Sequence, residues 1–518
     1  MFDVAIIGCG PVGALAANLL GKSGLKVLVL EKEINPFPLP RAVHLDHEMM
    51  RLFQSAGVIN DVLNDMRDTQ GHLHIGADYG VMRYMGTVGK PRPYGWSNDY
   101  FFYQPELENH LRQALKQYPN VELRLGSEFD SLTQTDSSVT LNIKTSSGVT
   151  SEKARWVIAC DGASSKVRKS LGIKLEDLQF EEPWLVVDAQ VDGDVQFPKF
   201  TGVPEEADLQ QLSVMLCDPK RPTTIVPGRG NHRRWEMMLL PGENDQSMMQ
   251  PDKVLELVGP YLNGVPHKIV RAATYRFHGL IAEQWRLGQV FLAGDAAHQT
   301  PPFFGQGMCH GLRDVANLAW KMSAITQGLS HEALLDTYQI ERDPHVRSVI
   351  SSAIEAGKYI CILDPKKASE RDATVRRKVA QNELPNTAAE LIPAIQLGLI
   401  ATETTKAGVR FIQPHVNGDL MDNVIKEKWR LFVTGKKAVK AAKHFIDQNM
   451  PRYDISITDV TTLDDKGAIL NWLKEAEADS VLVRPDFYVY GTALNDVSGL
   501  LTSLLDHMQM NVNLEKSA

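Results

Sequence analysis

Asp3-Val-Ala-Ile-Ile-Gly8-Cys-Gly10-Pro-Val-Gly13 opens the chain, followed by a helical stretch from Ala14 to Leu20. A second apolar run, Lys26-Val-Leu-Val-Leu30, ends at Glu31. This order predicts a βαβ unit with GxGxxG at its first turn and an acid closing its second strand. Gly8 permits the tight turn, Gly10 lets a pyrophosphate reach the backbone, and Gly13 lets helix and strand pack closely. Glu31 is placed to accept hydrogen bonds from ribose hydroxyls. A lone GxGxxG is weak evidence, because a glycine turn also occurs in nucleotide-free sheets. Here the strand before, the helix after and the acid at the right distance make the dinucleotide reading strong.

Two later stretches repeat the pattern of a short apolar strand stopping at a glycine or acidic turn. Trp156-Val-Ile-Ala159 runs into Cys160-Asp161-Gly162, and Val290-Phe-Leu-Ala293 runs into Gly294-Asp295. Ligands of open α/β sheets bind outside the carboxyl ends of strands, so three such ends are expected to converge on one extended ligand. After Asp295, a Pro301-Pro302 loop leads through Gly305 and Gly307 into a helix. Met308, Leu312, Val315, Ala319 and Met322 mark one apolar face of it. Its start offers free N–H groups and a positive dipole end, suited to an anion or to the electron-rich edge of a reduced ring.

Composition narrows the class. The chain has 518 residues, 43% hydrophobic and 23% charged, with net charge −8. That length predicts roughly two to four domains. The acidic balance excludes a nucleic-acid surface. Apolar runs are strand-sized, which predicts no membrane span. The N-terminus carries no basic leader or cleavage site. The five cysteines have no CxxC spacing, so neither a zinc site nor a disulfide framework is expected. A cytoplasmic location follows as the expectation.

Between the motifs the reading is uneven. Pro40-Arg41-Ala-Val-His44-Leu-Asp-His47 leads into a helix; Arg41 is a plausible phosphate or ribityl clamp, and His44 and His47 are as readily structural as catalytic. Residues 70–100 give no clear secondary structure. Gln104 opens a helix, a strand follows near Val121 to Leu125, and Val139, Leu141 and Ile143 alternate in a hairpin. Residues 176–275 alternate in antiparallel fashion, an insertion between two parts of the nucleotide-binding domain. Its arginines, Arg221, Arg229, Arg233 and Arg234, are mostly solvated-face residues by base rate, although one could meet an anionic substrate. A helical segment from Glu332 to Ala353 is expected to break at Pro344.

Residues 361–409 read as a connector. Residues 410–518 follow a βαβ-then-ββα order, a thioredoxin-like outline. With no cysteine after Cys361, dithiol chemistry is excluded there, and a scaffold or homodimer role is expected. The fold class is therefore α/β: a Rossmann-type dinucleotide-binding domain (1–175 and 276–360), an inserted antiparallel-sheet substrate domain (176–275, with about 70–100 as a possible addition), and a C-terminal thioredoxin-like domain.

The three motifs together resemble the single-component flavoprotein aromatic hydroxylases. Within that group Pro40-Arg41-Ala, Cys217-Asp-Pro-Lys-Arg-Pro222, Arg233-Arg-Trp-Glu-Met-Met and Gly311-Leu-Arg-Asp-Val-Ala-Asn-Leu-Ala-Trp-Lys321 are most similar to the 3-(3-hydroxyphenyl)propionate hydroxylases. The C-terminal Val483-Arg-Pro-Asp-Phe-Tyr488 resembles the tail of phenol hydroxylases.

The resemblance implies roles for individual residues. Gly8, Gly10, Pro11, Val12, Gly13, Glu31 and Lys32 would hold the ADP half of FAD. Arg41 and Gln104 would contact the pyrophosphate and ribityl region. Asp161-Gly162 would lie near the flavin, and Gly294-Asp295 would bind the ribityl chain. Pro302, Gly305, Gln306, Gly307 and Met308 would line the flavin ring, with N–H groups facing its N1–C2 edge. The stretches carrying His44, Met308, Cys309 and His310 face the ring in the family. His44 is the candidate for helping a phenol lose its proton, and Pro302 for lining the reactive edge.

The implied reaction uses NADH or NADPH as transient donor and O2 as co-substrate. A flavin C4a-hydroperoxide would hydroxylate a small phenolic aromatic. Alternatives are a hydroxylase or epoxidase of an indole, quinolone or polyketide ring, and a non-catalytic FAD-binding assembly protein. No Trp-x-Trp-x-Ile-Pro stretch is present, which argues against a halogenase. No metal is implied.

Overall fold

In the computed structural model, which describes residues 1–385, 388–426 and 428–509, the strand Phe2–Ile7 sits at the centre of a parallel sheet. Gly148–Ala159 pairs with it on one side and Val27–Glu31 on the other. Val290–Leu292 and Val121–Leu125 extend the sheet outward, both in parallel. The central strands are covered on both faces, which is why they read as unbroken apolar runs. Ile7 is in register with Ala159, and Ala159 with Leu292. The three turns noted in the sequence therefore open side by side, as expected.

The glycines of the first turn differ in what surrounds them. Gly8 has φ +95°, and a Cβ there would stand 2.5 Å from the Cys160 carbonyl oxygen. A Cβ on Gly13 would be 2.0 Å from the Gly8 carbonyl oxygen, so helix Pro11–Lys22 seats against its strand only with glycine there. A Cβ on Gly10 would meet nothing within 4 Å. That open side faces the cleft.

Helix Gly307–Thr326 is not the one-faced amphipathic helix its spacing suggested. Every residue from Cys309 to Ile325 is buried, because the helix runs between the parallel sheet and the C-terminal segment. Its charged residues are ion-paired: Arg313 with Asp46 and Glu48, Asp314 with Arg342, Lys321 with Glu341.

A second, eight-stranded sheet packs beside the first. Its order is His298–Gln299, His267–Ala282, Leu175–Val191, His232–Met238, Thr223–Pro227, Ser213–Leu216, Gly71–Ile75 and Val81–Gly86. The last two strands come from the stretch the sequence left unread. Gly71–Ile75 pairs in parallel with Ser213–Leu216. Leu175–Val191 and His267–Ala282 are long strands that tie this sheet back to the parallel one.

Helix Thr337–Ile360 runs through Pro344 without a break, contrary to expectation. Burial of His345, Val346, Val349 and Ile350 on the far side of the proline holds the helix in line. The connector contains a helix, Pro365–Ala380, capped by Asp364 accepting from the Lys367 N–H at 2.8 Å.

The C-terminal segment forms a four-stranded sheet in the order Ile455–Asp459, Trp429–Val433, Ser480–Val483, Val489–Ala493. Its first pair is parallel and the other two antiparallel. Helices Lys436–Asn449, Ala468–Glu475 and Val497–Gln509 accompany it. The final residues assigned to this segment, 510–518, lie outside the described residues.

Candidate active site

The three strand ends, the Pro301-Pro302 loop and one face of the eight-stranded sheet enclose a cavity of about 430 Å³. Of the residues singled out in the sequence, Gly10, Pro11, Val12, Arg41, His44 and Gln104 line it. So do Gly162, Asp295, Pro302, Gly305, Gly307 and Met308. They follow one another from the GxGxxG turn to the start of helix Gly307–Thr326, the path an extended dinucleotide requires. The fit to FAD is local as well as global. Gly10 and Gly307 both have open space where a Cβ would stand. Asp295 is exposed to the cleft, and the first-turn N–H groups of the helix lie beyond it.

The other candidates stand behind the lining. Gly8 and Gly13 shape the turn. Glu31 accepts from the Cys9 N–H at 2.7 Å and from the Glu33 N–H at 2.9 Å, bracing the turn from beneath. Asp161 accepts from the Val167 N–H at 3.1 Å. Gly294 is buried, its N–H donating to Asp314 at 3.0 Å. Gln306 is buried and accepts from Arg313 at 3.1 Å. Lys32 projects into solvent beside Glu33 at 3.9 Å, away from the cavity. Gln104 accepts from the N–H groups of Arg41 and Ala42 at 3.1 and 2.7 Å, and donates to Glu108 at 2.7 Å. Its amide is spent on holding the Arg41 loop.

Cys309 and His310 are both fully buried and do not line the cavity. They turn inward because the helix is enclosed on every side. His47 also faces away, its Nδ1 3.2 Å from Asn98. Burial, reinforced by the Arg410 charge and only partly opposed by Asp46 and Asp99, lowers it to about 4.

His44 sits where the flavin-side loop meets the second sheet. Asp99 is ionised: burial opposes its charge, but His44 and the neighbouring histidines outweigh that and hold it below the ordinary carboxylate range. An ionised carboxylate only accepts, so the His44 Nε2–H donates to Asp99 across 2.9 Å and the Nδ1 keeps the lone pair. That Nδ1 is buried without a hydrogen-bond partner. It is directed at Gly305, where a Cβ would stand 2.5 Å from it. Gly305 has φ +62°, so glycine is required there twice over. Burial disfavours the charged imidazole, but the hydrogen bond and charge of Asp99 prevail and raise the His44 pKa. The pair is built to take up a proton on Nδ1.

Pro302 is fixed by its neighbour. Phe303 stands edge-on to Trp184, Phe277 and Phe180, with centroids 5.8, 6.1 and 5.9 Å away. Arg234 is the arginine of its group that lines the cavity, but it is already neutralised. It donates to Asp188 at 2.8 and 3.1 Å and to the Arg41 and Pro40 carbonyls at 2.6 and 2.8 Å. Arg221 pairs with Glu243, Arg229 with Asp65, and Arg233 is buried against its own strand.

The sequence reading missed Asp99, His72 and His74. The last two alternate in Gly71-His-Leu-His-Ile75, a period-two signal of a strand that was present but not recognised. Asp99 left no signal, since its role depends on the pairing of Asp99–Phe102 with His44–Asp46.

Comparison with known proteins agrees with this geometry. A family model described as an FAD binding domain matches residues 1–353. The chain belongs to the FAD-binding aromatic hydroxylase family. It is 34% identical to a probable NADH-specific resorcinol 4-hydroxylase of Rhodococcus jostii, over 97% of this chain and 94% of that one. It is 32% identical to a 3-(3-hydroxy-phenyl)propionate/3-hydroxycinnamic acid hydroxylase of Burkholderia cenocepacia, over 96% and 94%. In fold, this hydroxylase is similar to the flavin-dependent monooxygenase PieE, with TM-score 0.79 and 21% identity over 98% and 99% of the two chains. Aklavinone-11 hydroxylase gives 0.75 and 24% over 98% of each. The hydroxylase is thus an FAD-dependent monooxygenase, and no helix among its described residues is long and apolar enough to cross a membrane.

Proposed function

We propose that the cavity hydroxylates a small phenol, with His44 as the base that takes the phenolic proton. The observation that carries this reading is the His44–Asp99 pair, whose unpartnered Nδ1 faces the loop between Pro302 and Gly307. The chemistry bound FAD supplies is two-electron reduction by a nicotinamide and activation of O2. Each ring hydroxylated consumes one NAD(P)H, one O2 and one proton, and releases one water. The relative named as NADH-specific supports NADH as the donor.

The chain's own residues do the rest. Gly10, Arg41 and Asp295 hold the cofactor along the cleft. Gly307 and Met308 present backbone N–H groups at a positive helix end, which favours negative charge on the ring edge. Pro302, braced by Phe303, walls that edge off from solvent. His44 Nδ1 accepts the phenolic hydrogen, Asp99 stabilises the resulting imidazolium, and the ring gains electron density for attack. The names of the two relatives bracket the ring as resorcinol-like or hydroxyphenylpropionate-like.

The domain division follows: a nucleotide-binding part at 1–175 and 276–360, an antiparallel substrate part at 176–275 joined by the Gly71–Ile75 and Val81–Gly86 strands, a connector at 361–409, and a C-terminal part from 410. The strand order of the C-terminal sheet supports the thioredoxin-like reading, and its lack of cysteine supports a scaffold role.

The test is stoichiometric. Purified protein should be yellow, and a phenol should raise its NADH oxidation and yield a ring-hydroxylated product in near-equal amount. NADH oxidation without hydroxylated product from any phenol would reject the reading.

A further inference from the structure

Resting on that reading of the cavity, we propose that the substrate is an uncharged phenol bearing a second hydroxyl group, and that His72 is the residue that recognises the second hydroxyl. Phenols carrying a carboxylate are discriminated against.

The sheet face that closes the cavity has a polar end lined by uncharged imidazole and hydroxyl groups. His72 lies beside Ser213, and His74, Met215, Thr224 and Glu236 form one row across four neighbouring strands. His44 and His72 stand edge to face with ring centroids 5.6 Å apart, so a ring held at His44 is within reach of both. His72 Nε2, like His44 Nδ1, is shielded from solvent and has no partner. A shielded, unpartnered nitrogen is costly unless a ligand meets it. Burial lowers His72 to about 4, so the imidazole is neutral at physiological pH and offers one donor and one acceptor. A hydroxyl matches either nitrogen state. A carboxylate, which only accepts, matches just one and brings a charge.

That charge would find no free counter-ion among the residues lining this end; Arg83, across from His74, lies behind the lining and donates to the Pro385 carbonyl. Asp99 beside His44 is already negative, and Glu236, whose carboxyl burial pushes above the ordinary range against the Arg234 charge, offers no positive charge either. The arginines that line the cavity lie elsewhere and are engaged. Arg234 is three strand spacings from His72, about 14 Å, and donates to Asp188 and two carbonyls. Arg271 sits beyond it, donating to the Pro40 carbonyl at 2.6 Å over the Tyr275 ring. Arg276 pairs at the surface with Glu181 and Asp245. Arg41 faces the cofactor path. A carboxylate at the histidine end would be desolvated and unpaired, which is strongly unfavourable.

The experiment compares resorcinol, phenol, 3-hydroxybenzoate and 3-(3-hydroxyphenyl)propionate on the FAD-loaded enzyme, following NADH oxidation and product. Resorcinol should have the highest kcat/KM, with both carboxylates lower by on the order of a hundredfold. His72→Phe should lower kcat/KM for resorcinol on the order of tenfold to a hundredfold, chiefly through KM, and lower that for phenol far less; His72→Gln should restore part of the loss. A carboxylated phenol that matches or exceeds resorcinol overturns the proposal, and that comparison needs only the unmodified protein. Equal loss on resorcinol and phenol in His72→Phe also overturns it. If no phenol of either charge is hydroxylated, the hydroxylase reading itself fails and the substrate assignment falls with it.

Discussion

Tyr488, in the C-terminal segment, donates its hydroxyl hydrogen to Glu48 across 2.9 Å, in a region buried from solvent. Glu48 in turn accepts from Arg313 at 2.8 Å, and Arg313 donates to Gln306 at 3.1 Å and to Asp46 at 2.5 Å. Gln306 stands between Gly305 and Gly307, and Asp46 is two residues from His44. A continuous set of charge-assisted bonds therefore joins the last segment of the chain to both sides of the candidate active site.

Tyr488→Phe removes one of these bonds while keeping the ring. The expected cost is about 2 kcal/mol of unfolding free energy, the usual range for a buried hydrogen bond to a charged group. Urea denaturation of the FAD-loaded protein measures it. An unchanged midpoint would mean the bond contributes nothing net.

Asp99→Asn should weaken His44 as a base. Against burial, Asp99 is the main group that raises the His44 pKa, ahead of Asp46 and the Gly305 backbone, so without it the pKa falls. The neutral imidazole is the active form, and activity is lost as pH falls through its pKa. In kcat/KM profiles the acidic limb should therefore move to lower pH in Asp99→Asn, with a lower plateau. His44→Asn should lose on the order of a hundredfold in kcat, the usual scale for a general base.

Gly10→Ala and Gly13→Ala should part company. An added methyl at Gly10 meets no protein atom but occupies the cleft, so FAD affinity should fall about tenfold with little change in apoprotein melting temperature. At Gly13 the methyl would overlap the Gly8 carbonyl, and soluble protein should be scarce. Flavin titration and thermal denaturation distinguish the two outcomes.

Acid should loosen the C-terminal segment first. Burial would raise the Glu341 pKa, but Arg484 and Lys321 outweigh it and hold it at about 2. A carboxyl depressed in the folded state stabilises the protein above its unfolded value, 4.5, and loses that contribution as pH falls toward 2. Glu341→Gln should flatten this part of the stability–pH curve. Limited proteolysis between pH 5 and 3 should cut first near residue 400, where the Leu399 N–H donates to Glu341 at 2.8 Å.

Much of this site was legible in the sequence, for definable reasons. The parallel strands announce themselves because both faces are buried, and Gly8, Gly13 and Gly305 are forced by backbone geometry that only glycine meets. His44 was singled out, but its partner was not. Asp99 reaches it through a strand pairing 55 residues distant, and no local pattern encodes that. Cys309 and His310 were placed at the ring by resemblance, which carries over a stretch but not the direction of each side chain, and on a helix enclosed on every side both are buried away from the cavity. Pro344 was misjudged because propensity is a local cost that packing on both sides of it overrides.

The bonds that Tyr488 and Arg484 make also bear on how the protein comes off the ribosome. Glu48, Arg313 and Glu341 are all translated well before residue 484 emerges, so these buried charges lack some of their partners until residues 484–488 have been made. The ionic network beside the flavin cleft is complete only once that stretch has emerged, and a polypeptide terminated before it would present an exposed, partly paired ionic face. Quality control that reads such a face would act on incomplete chains before they could consume reductant unproductively.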